Sequence, residues 1–283
     1  MYEIGSWRKT NNSKPDPRGI YDFEPATRIF DQLTFVGDCV VCCFLMETPE
    51  GLMLIDCMNP QERCAQAIRQ GIADIGYTMS DLKLILITHA HPDHYGFAGK
   101  LREESGAKIL MSEGDFIQAS LPKDPRAPYG PMDYPVDGYI TDGMDITLGG
   151  VTVHAVETPG HTAHCMSFII PVTDEGRPHM MALWGGTTLV RGADINAYLD
   201  SVEKFERISL EYGVDGAVSN HPYVDNGVEK AALVRKLVDG VPNPYIMGKE
   251  GYLYYHNKFR LMGQDSLRKY PEGIVPDHVV PFK

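Results

Sequence analysis

The sequence predicts one α/β domain in which two sheets are faced by helices. Three observations predict it. Residues 82–88 (LKLILIT) are a short, β-branched-rich apolar run of the kind that fills a buried strand. A helical stretch at 98–105 and a second apolar run at 107–111 complete a βαβ pattern, and the chain then repeats the order of strands followed by helices. With 283 residues, 43% hydrophobic and 23% charged, it has ordinary globular composition and enough chain to bury a core and a deep pocket.

The elements follow in order. Residues 10–25, rich in Pro, Asn and Asp, read as an irregular arm. Two β-rich stretches, 33–46 and 52–56, are joined at Thr48-Pro49-Glu50-Gly51, a hairpin signal. Residues 59–76 carry helical apolar spacing and end at glycine. Residues 122–143 hold five prolines and three tyrosines without periodicity, which predicts a long loop, of a length that is usually functional or disordered. Hairpins are predicted at 145–157, turning at Gly149-Gly150, and from 166–172 to 179–184, turning at Asp174-Glu175-Gly176. Ile195, Tyr198, Leu199, Val202, Phe205 and Ile208 fall on one helical face. A strand at 216–219 and two helical stretches complete a single domain, 1–283, with an arm at 1–27 and an aromatic extension at 241–283. The aromatic segment 244–259 predicts an amphipathic helix docked on the body or on another subunit, so a homo-oligomer is an open expectation.

A net charge of −12 argues against a nucleic-acid track or an anionic membrane surface and points to a small-molecule substrate. The longest uncharged apolar run, 39–46, is far short of the roughly 20 residues that span a bilayer, and no signal-type apolar region follows Met1. The six cysteines lack the density of a disulfide scaffold and read as reduced core thiols of a cytoplasmic protein.

The chemistry concentrates directly after the buried strand, in His89-Ala90-His91-Pro92-Asp93-His94. Four ligand-type side chains within six residues suit zinc: His89 and His91 are placed to chelate one ion, Asp93 and His94 to turn toward a second. Pro92 stiffens the loop. His154, His179, His256 and His278 show no partner pattern and read as structural, and Cys165 reads as a buried strand thiol.

This HxHxDH segment resembles the metallo-β-lactamase superfamily. The resemblance runs over roughly residues 28–240, with Leu54-Ile55-Asp56, Pro159-Gly160-His161-Thr162 and Ser219-Asn220-His221-Pro222 as further landmarks. It implies a four-layer αββα sandwich and two zinc ions per chain, the first on His89, His91 and His161, the second on Asp93, His94 and His221. It also implies that Asp56 supports the metal loop from behind. Most dinuclear members place a bridging aspartate after the strand that here ends at Trp184, where this chain has Gly185-Gly186-Thr187-Thr188. Without that aspartate the pattern is most similar to the subclass-three enzymes.

The resemblance implies a hydrolase in which metal-bound hydroxide cleaves a lactam, amide, lactone or ester, with Asp93 as catalytic residue orienting the water. Thr187 and Thr188 stand where the similar subclass holds a substrate carboxylate, and Tyr129, Tyr134, Tyr139 and His164 are further substrate-binding candidates. The alternative on the same fold is a mononuclear iron thiol or persulfide dioxygenase, against which the missing aspartate counts. A binding module that retains the fold is disfavoured by six intact ligand positions.

Overall fold

The computed structural model describes residues 21–123, 129–238 and 240–276. Its first sheet has seven strands in sequence order: β1 (Thr27–Arg28), β2 (Leu33–Gly37), β3 (Cys42–Thr48), β4 (Gly51–Ile55), β5 (Leu82–Leu86), β6 (Lys108–Met111) and β7 (Gly138–Tyr139). Pairing is antiparallel from β1 to β4 and parallel from β4 to β7. The second sheet runs β12-β11-β10-β9-β8, built from β8 (Asp145–Leu148), β9 (Val151–Glu157), β10 (Met166–Asp174), β11 (Arg177–Leu183) and β12 (Gly216–Val218).

The first sheet is buried on both faces because successive side chains enter different cores. Phe35, Phe44, Met46, Met53 and Ile55 point inward to meet Val153, Phe168, Ile170 and Leu183 of the second sheet. Their neighbours Val36, Cys43, Leu45 and Leu54 point outward against α1 (Glu62–Asp74) and α3 (Ala98–Ser105). Helix α1 presents Cys64, Ala65, Ile68 and Ile72 on one face to receive them. The outer face of the second sheet, Val156, Ile169, Ala182 and Trp184, is covered by α5 (Ile195–Glu211) and α8 (Gly248–Lys269). Asp194 caps α5, accepting from Ala197 N at 2.9 Å. The result is the four-layer αββα sandwich.

The aromatic extension is indeed a helix, docked on the body through Tyr252, His256 and Phe259, with Phe259 stacked on Trp184 at 5.5 Å. The hairpin between β10 and β11 turns where expected, with Glu175 and Gly176 both at positive φ, as a tight hairpin turn requires. Three expectations are corrected. Residues 33–46 are two strands, broken by a turn at 38–41 that Gly37-Asp38 marks in the sequence. A helix missed in the sequence, α4 (Glu113–Ser120), follows β6. The 122–143 loop contributes the short strand β7. The ranges 1–20 of the arm and 277–283 of the extension, with His278, lie outside the described residues.

Five cysteines, Cys42, Cys43, Cys57, Cys64 and Cys165, are buried. Among the described residues, no helix is long and apolar enough to cross a membrane.

Candidate metal centre

The histidine segment leaves the carboxyl end of β5 and reverses within a few residues. His91 is extended and is the residue before a single helical turn, α2 (Pro92–Tyr95), with proline at the first helical position, where its missing N–H costs nothing. That turn is why Asp93 and His94 fall in a different group from His89 and His91. The same device recurs at the end of β12, where His221 precedes α6 (Pro222–Asp225).

Two groups of three result: His89, His91 and His161, and Asp93, His94 and His221, each with its ligand atoms within 4.8 Å of one another. In the first, His89 Nε2 lies 3.1 Å from His91 Nδ1, and His161 Nε2 lies 3.1 Å and 2.9 Å from those two atoms. In the second, Asp93 Oδ2 stands 3.6 Å from His94 Nε2 and 3.8 Å from His221 Nε2. The groups adjoin, the rings of His89 and His94 being 4.0 Å apart.

Outer contacts fix which ring nitrogen is bare in four of the five histidines. His94 Nδ1 donates to Asp56 Oδ2 at 2.8 Å, His221 Nδ1 to the Val40 carbonyl at 2.8 Å, and His161 Nδ1 to the Thr188 carbonyl. Thr88 Oγ1 gives its own hydrogen to Asp56, so it accepts from His89 Nδ1 at 3.0 Å. Bare nitrogens of His89 and His161 therefore face each other at contact distance, lone pair against lone pair. His94 Nε2 is buried with no partner. Such an arrangement fits a cation: ligands on a tetrahedral zinc at about 2.0–2.1 Å lie about 3.3 Å apart.

Asp56 ties the two groups together. It is fully buried, in the left-handed region at φ 61°, and accepts from Thr88 N at 2.9 Å, from Thr88 Oγ1, from His94 and from Asn220 Nδ2 at 3.0 Å. A non-glycine residue in that conformation is strained, and these bonds hold it there. Asp115, which the sequence reading missed, does comparable work on α4. Buried, it accepts from Ala90 N at 3.0 Å and Thr162 Oγ1 at 2.6 Å through one oxygen, and from His164 N at 3.2 Å through the other. It thereby pins the loop of His89 and His91 to the loop of His161. The only sequence signal was Ser112 followed by an acidic first turn, which marks a helix start but not an inward carboxylate.

The electrostatics divide the centre. Burial, reinforced by the other imidazoles, holds His89 and His161 well below the usual histidine range, and burial brings His91 down to about 4. Burial likewise lowers His221, with His94 adding to it. Burial opposes charge on His94, yet Asp93 and Asp56 together raise it. Burial opposes charge on Asp93 too, yet His94, His221 and His91 together lower it.

Glycine at the bridging position is a packing requirement. A Cβ on Gly186 would lie 2.4 Å from His161 Cβ, and one on Gly185 would lie 2.0 Å from the Met166 carbonyl oxygen. The remaining candidates are placed as follows. The Thr188 carbonyl accepts from His161 Nδ1, and Thr187 is buried with its hydroxyl unpartnered. Tyr134 packs its ring on Gly99 and donates to the Tyr95 carbonyl at 2.9 Å, fastening the long loop to the body. Tyr139 lies in β7 with its ring against Phe116, and Tyr129 accepts from Gln61 Nε2 at 2.8 Å. His164 pairs with Glu157 at 2.8 Å on an exposed face. The structure does not bring Tyr134, Tyr139 or His164 to the imidazole cluster. His154, His179 and His256 are bonded to Asp145, Asp215 and the Val202 carbonyl.

The family model of the metallo-beta-lactamase superfamily matches residues 36–174. The crystal structure of BJP-1, a subclass B3 metallo-beta-lactamase of Bradyrhizobium japonicum, is similar at 26% identity and a TM-score of 0.75, covering 87% of this chain and 94% of that one. The fold is that of the metallo-beta-lactamase superfamily, and the segment its family model matches carries five of the six grouped ligand residues, His89, His91, Asp93, His94 and His161. Among curated proteins, it is 33% identical over 146 residues to the uncharacterized protein YobT of Bacillus subtilis, covering 49% of this chain and 60% of that protein. It is 26% identical over 171 residues to the mitochondrial persulfide dioxygenase ETHE1 of Homo sapiens, covering 60% of this chain and 52% of that protein. The chain spans between half and three-fifths of the length of the curated relatives it matches first.

Proposed function

We propose that this protein is a dinuclear zinc hydrolase that opens a lactam, amide, lactone or ester bond of a small molecule in the cytoplasm. The observation that carries the reading is the pair of adjoining ligand groups with their bare nitrogens turned inward, beside a glycine pair that leaves no room for a bridging carboxylate. When bound, such ions supply an acidified water and polarise the carbonyl under attack. His89, His91 and His161 would hold one, and Asp93, His94 and His221 the other. Asp93 has a third of its side chain accessible. A carboxylate so placed would accept a hydrogen bond from the attacking water and orient it. Asp56 and Asp115 keep the ligand loops in register while the substrate turns over. The net charge of −12 and the absence of a basic cluster in the sequence favour a small molecule over nucleic acid.

Oxidation of a thiol or persulfide at a single iron is the competing reading, supported by the likeness to the persulfide dioxygenase. Glycine at the strand end weighs against it. Elemental analysis of untagged protein separates the two. About two zinc per chain, with hydrolysis of lactam, lactone or ester substrates lost to chelator and restored by zinc, is the expected result. About one iron per chain with thiol-dependent oxygen consumption overturns it.

A further inference from the structure

His221 is the ligand whose position depends most on a distant part of the chain, because its Nδ1 is held by a backbone carbonyl of the turn between β2 and β3. That turn is organised by one side chain. Asp38, buried, accepts from Val40 N at 2.8 Å and Val41 N at 3.0 Å through the same oxygen, Oδ1, while Asp38 N donates to the Val41 carbonyl at 3.1 Å. The peptide unit is planar and trans, so the Val40 carbonyl and the Val41 N–H point in opposite directions from one plane. Drawing the Val41 N–H onto Asp38 therefore turns the Val40 carbonyl the other way, onto His221 Nδ1.

We propose that Asp38 is a positioning residue for the second metal ion, orienting His221 through the single peptide plane between Val40 and Val41. Neighbouring contacts keep the turn against the His221 loop. Cys42 N donates to the Asn220 carbonyl at 2.9 Å, and Cys42 Sγ reaches the Ser219 carbonyl at 3.1 Å. On the far side, the Arg63 guanidinium stands 4.0 Å from Asp38 Oδ2, lies 4.4 Å from the Phe23 ring centroid, and donates to the Tyr21 carbonyl. The last residues of the arm thus press on the group that aims the carbonyl. Nothing in this arrangement touches His89, His91 or His161, so the effect belongs to one ion of the two. The inference rests on the reading that Asp93, His94 and His221 hold a metal.

The test is a stepwise metal titration of the full chain against a competing chelator, with zinc and with cobalt(II), whose visible spectrum reports coordination. Asp38→Ala is expected to weaken the second binding step by about 10–100-fold, the usual size of an outer-contact effect, and to leave the first within about twofold. Asp38→Asn, whose amide oxygen accepts the same two N–H bonds, is expected to keep the second step within about threefold. The slowly exchanging Nδ1–H proton of His221 in the zinc-loaded protein should be present in wild type and Asp38→Asn and lost in Asp38→Ala. An unchanged second step in Asp38→Ala, or an equal fall in both steps, overturns the proposal. So does a loss in Asp38→Asn as deep as in Asp38→Ala, and this arm decides alone if the alanine variant does not fold. Wild-type protein that binds one ion or none would instead count against the dinuclear reading itself.

Discussion

His89, His91 and His161 bring three ring nitrogens within 3.1 Å of one another, whereas Asp93 Oδ2 stands 3.6 Å and 3.8 Å from the Nε2 atoms of His94 and His221. The first group is neutral: burial and mutual repulsion hold His89 and His161 below the histidine range and His91 at about 4. The second is polarised, with Asp93 lowered and His94 raised by their neighbours. One six-residue segment supplies ligands to both, so the difference comes from what stands behind them. A neutral, converged donor set accepts a cation without first losing a proton. A donor set whose imidazole is held above its ordinary value competes with protons more strongly, so its metal affinity falls more steeply with acid. The comparison teaches that the two ions should bind in order, the first to the three histidines.

The largest test removes one ligand from each side. His161→Ala is expected to reduce turnover below detection and to abolish the tight metal step, while His221→Ala should retain about one ion per chain with diminished turnover. Metal analysis after gel filtration, paired with a hydrolysis assay, reads both. If His221→Ala lost the tight ion and His161→Ala kept it, the assignment of order would be reversed.

A smaller and more selective perturbation is Gly186→Ala. Its Cβ would meet His161 Cβ at 2.4 Å, and the segment cannot easily retreat, since Trp184 Nε1 donates to the Gly186 carbonyl at 2.6 Å. Overpacking of this kind costs about 1–3 kcal/mol. The first metal step should weaken by a factor of about ten or more with the second spared, measured by chelator competition alongside the melting temperature. Equal weakening of both steps would show that the two halves do not respond separately.

The layering and the local half of the centre were legible in the sequence because both depend on short-range pattern. The run at 82–88 and the helical spacing of 195–208 reflect burial directly, and His89 to His94 sit within one loop. His161 and His221 were reached only through the resemblance, since the folds that bring them to His91 and Asp93 are long-range. Asp115 was invisible for a different reason: whether one acid of a short, weakly patterned helix turns inward depends on which backbone N–H groups await it, here those of Ala90 and His164. Asp38 was passed over although Gly37-Asp38 is a turn-type pair, because the apolar residues on both sides face buried cores and read as one β-rich stretch. Tyr134 shows the converse error. Its residue type suits a pocket, but its hydroxyl is committed to the Tyr95 carbonyl and its ring to Gly99.

The finest test of the comparison is the pH dependence of stability in the chelator-treated protein, where His91 and His94 should act with opposite sign. His91 titrates at about 4 in the folded state, below its ordinary 6.5, so the unfolded chain binds more protons between those values. The stability it contributes is present above about pH 6.5 and is lost as pH falls toward 4, on the order of 3 kcal/mol at most. His94 is raised above 6.5, so its contribution is complete below that value and disappears as pH rises through its folded value. Melting temperatures between pH 4 and 8 should therefore show the acid limb flattened in His91→Gln and the upper limb flattened in His94→Gln. Zinc should shrink the His94 difference most, because a bound ion takes the place of the proton that Asp93 and Asp56 draw onto that ring. If both variants flattened the same limb, the division into a neutral and a polarised half would be wrong, and the order of metal binding would have to come from ligand geometry alone.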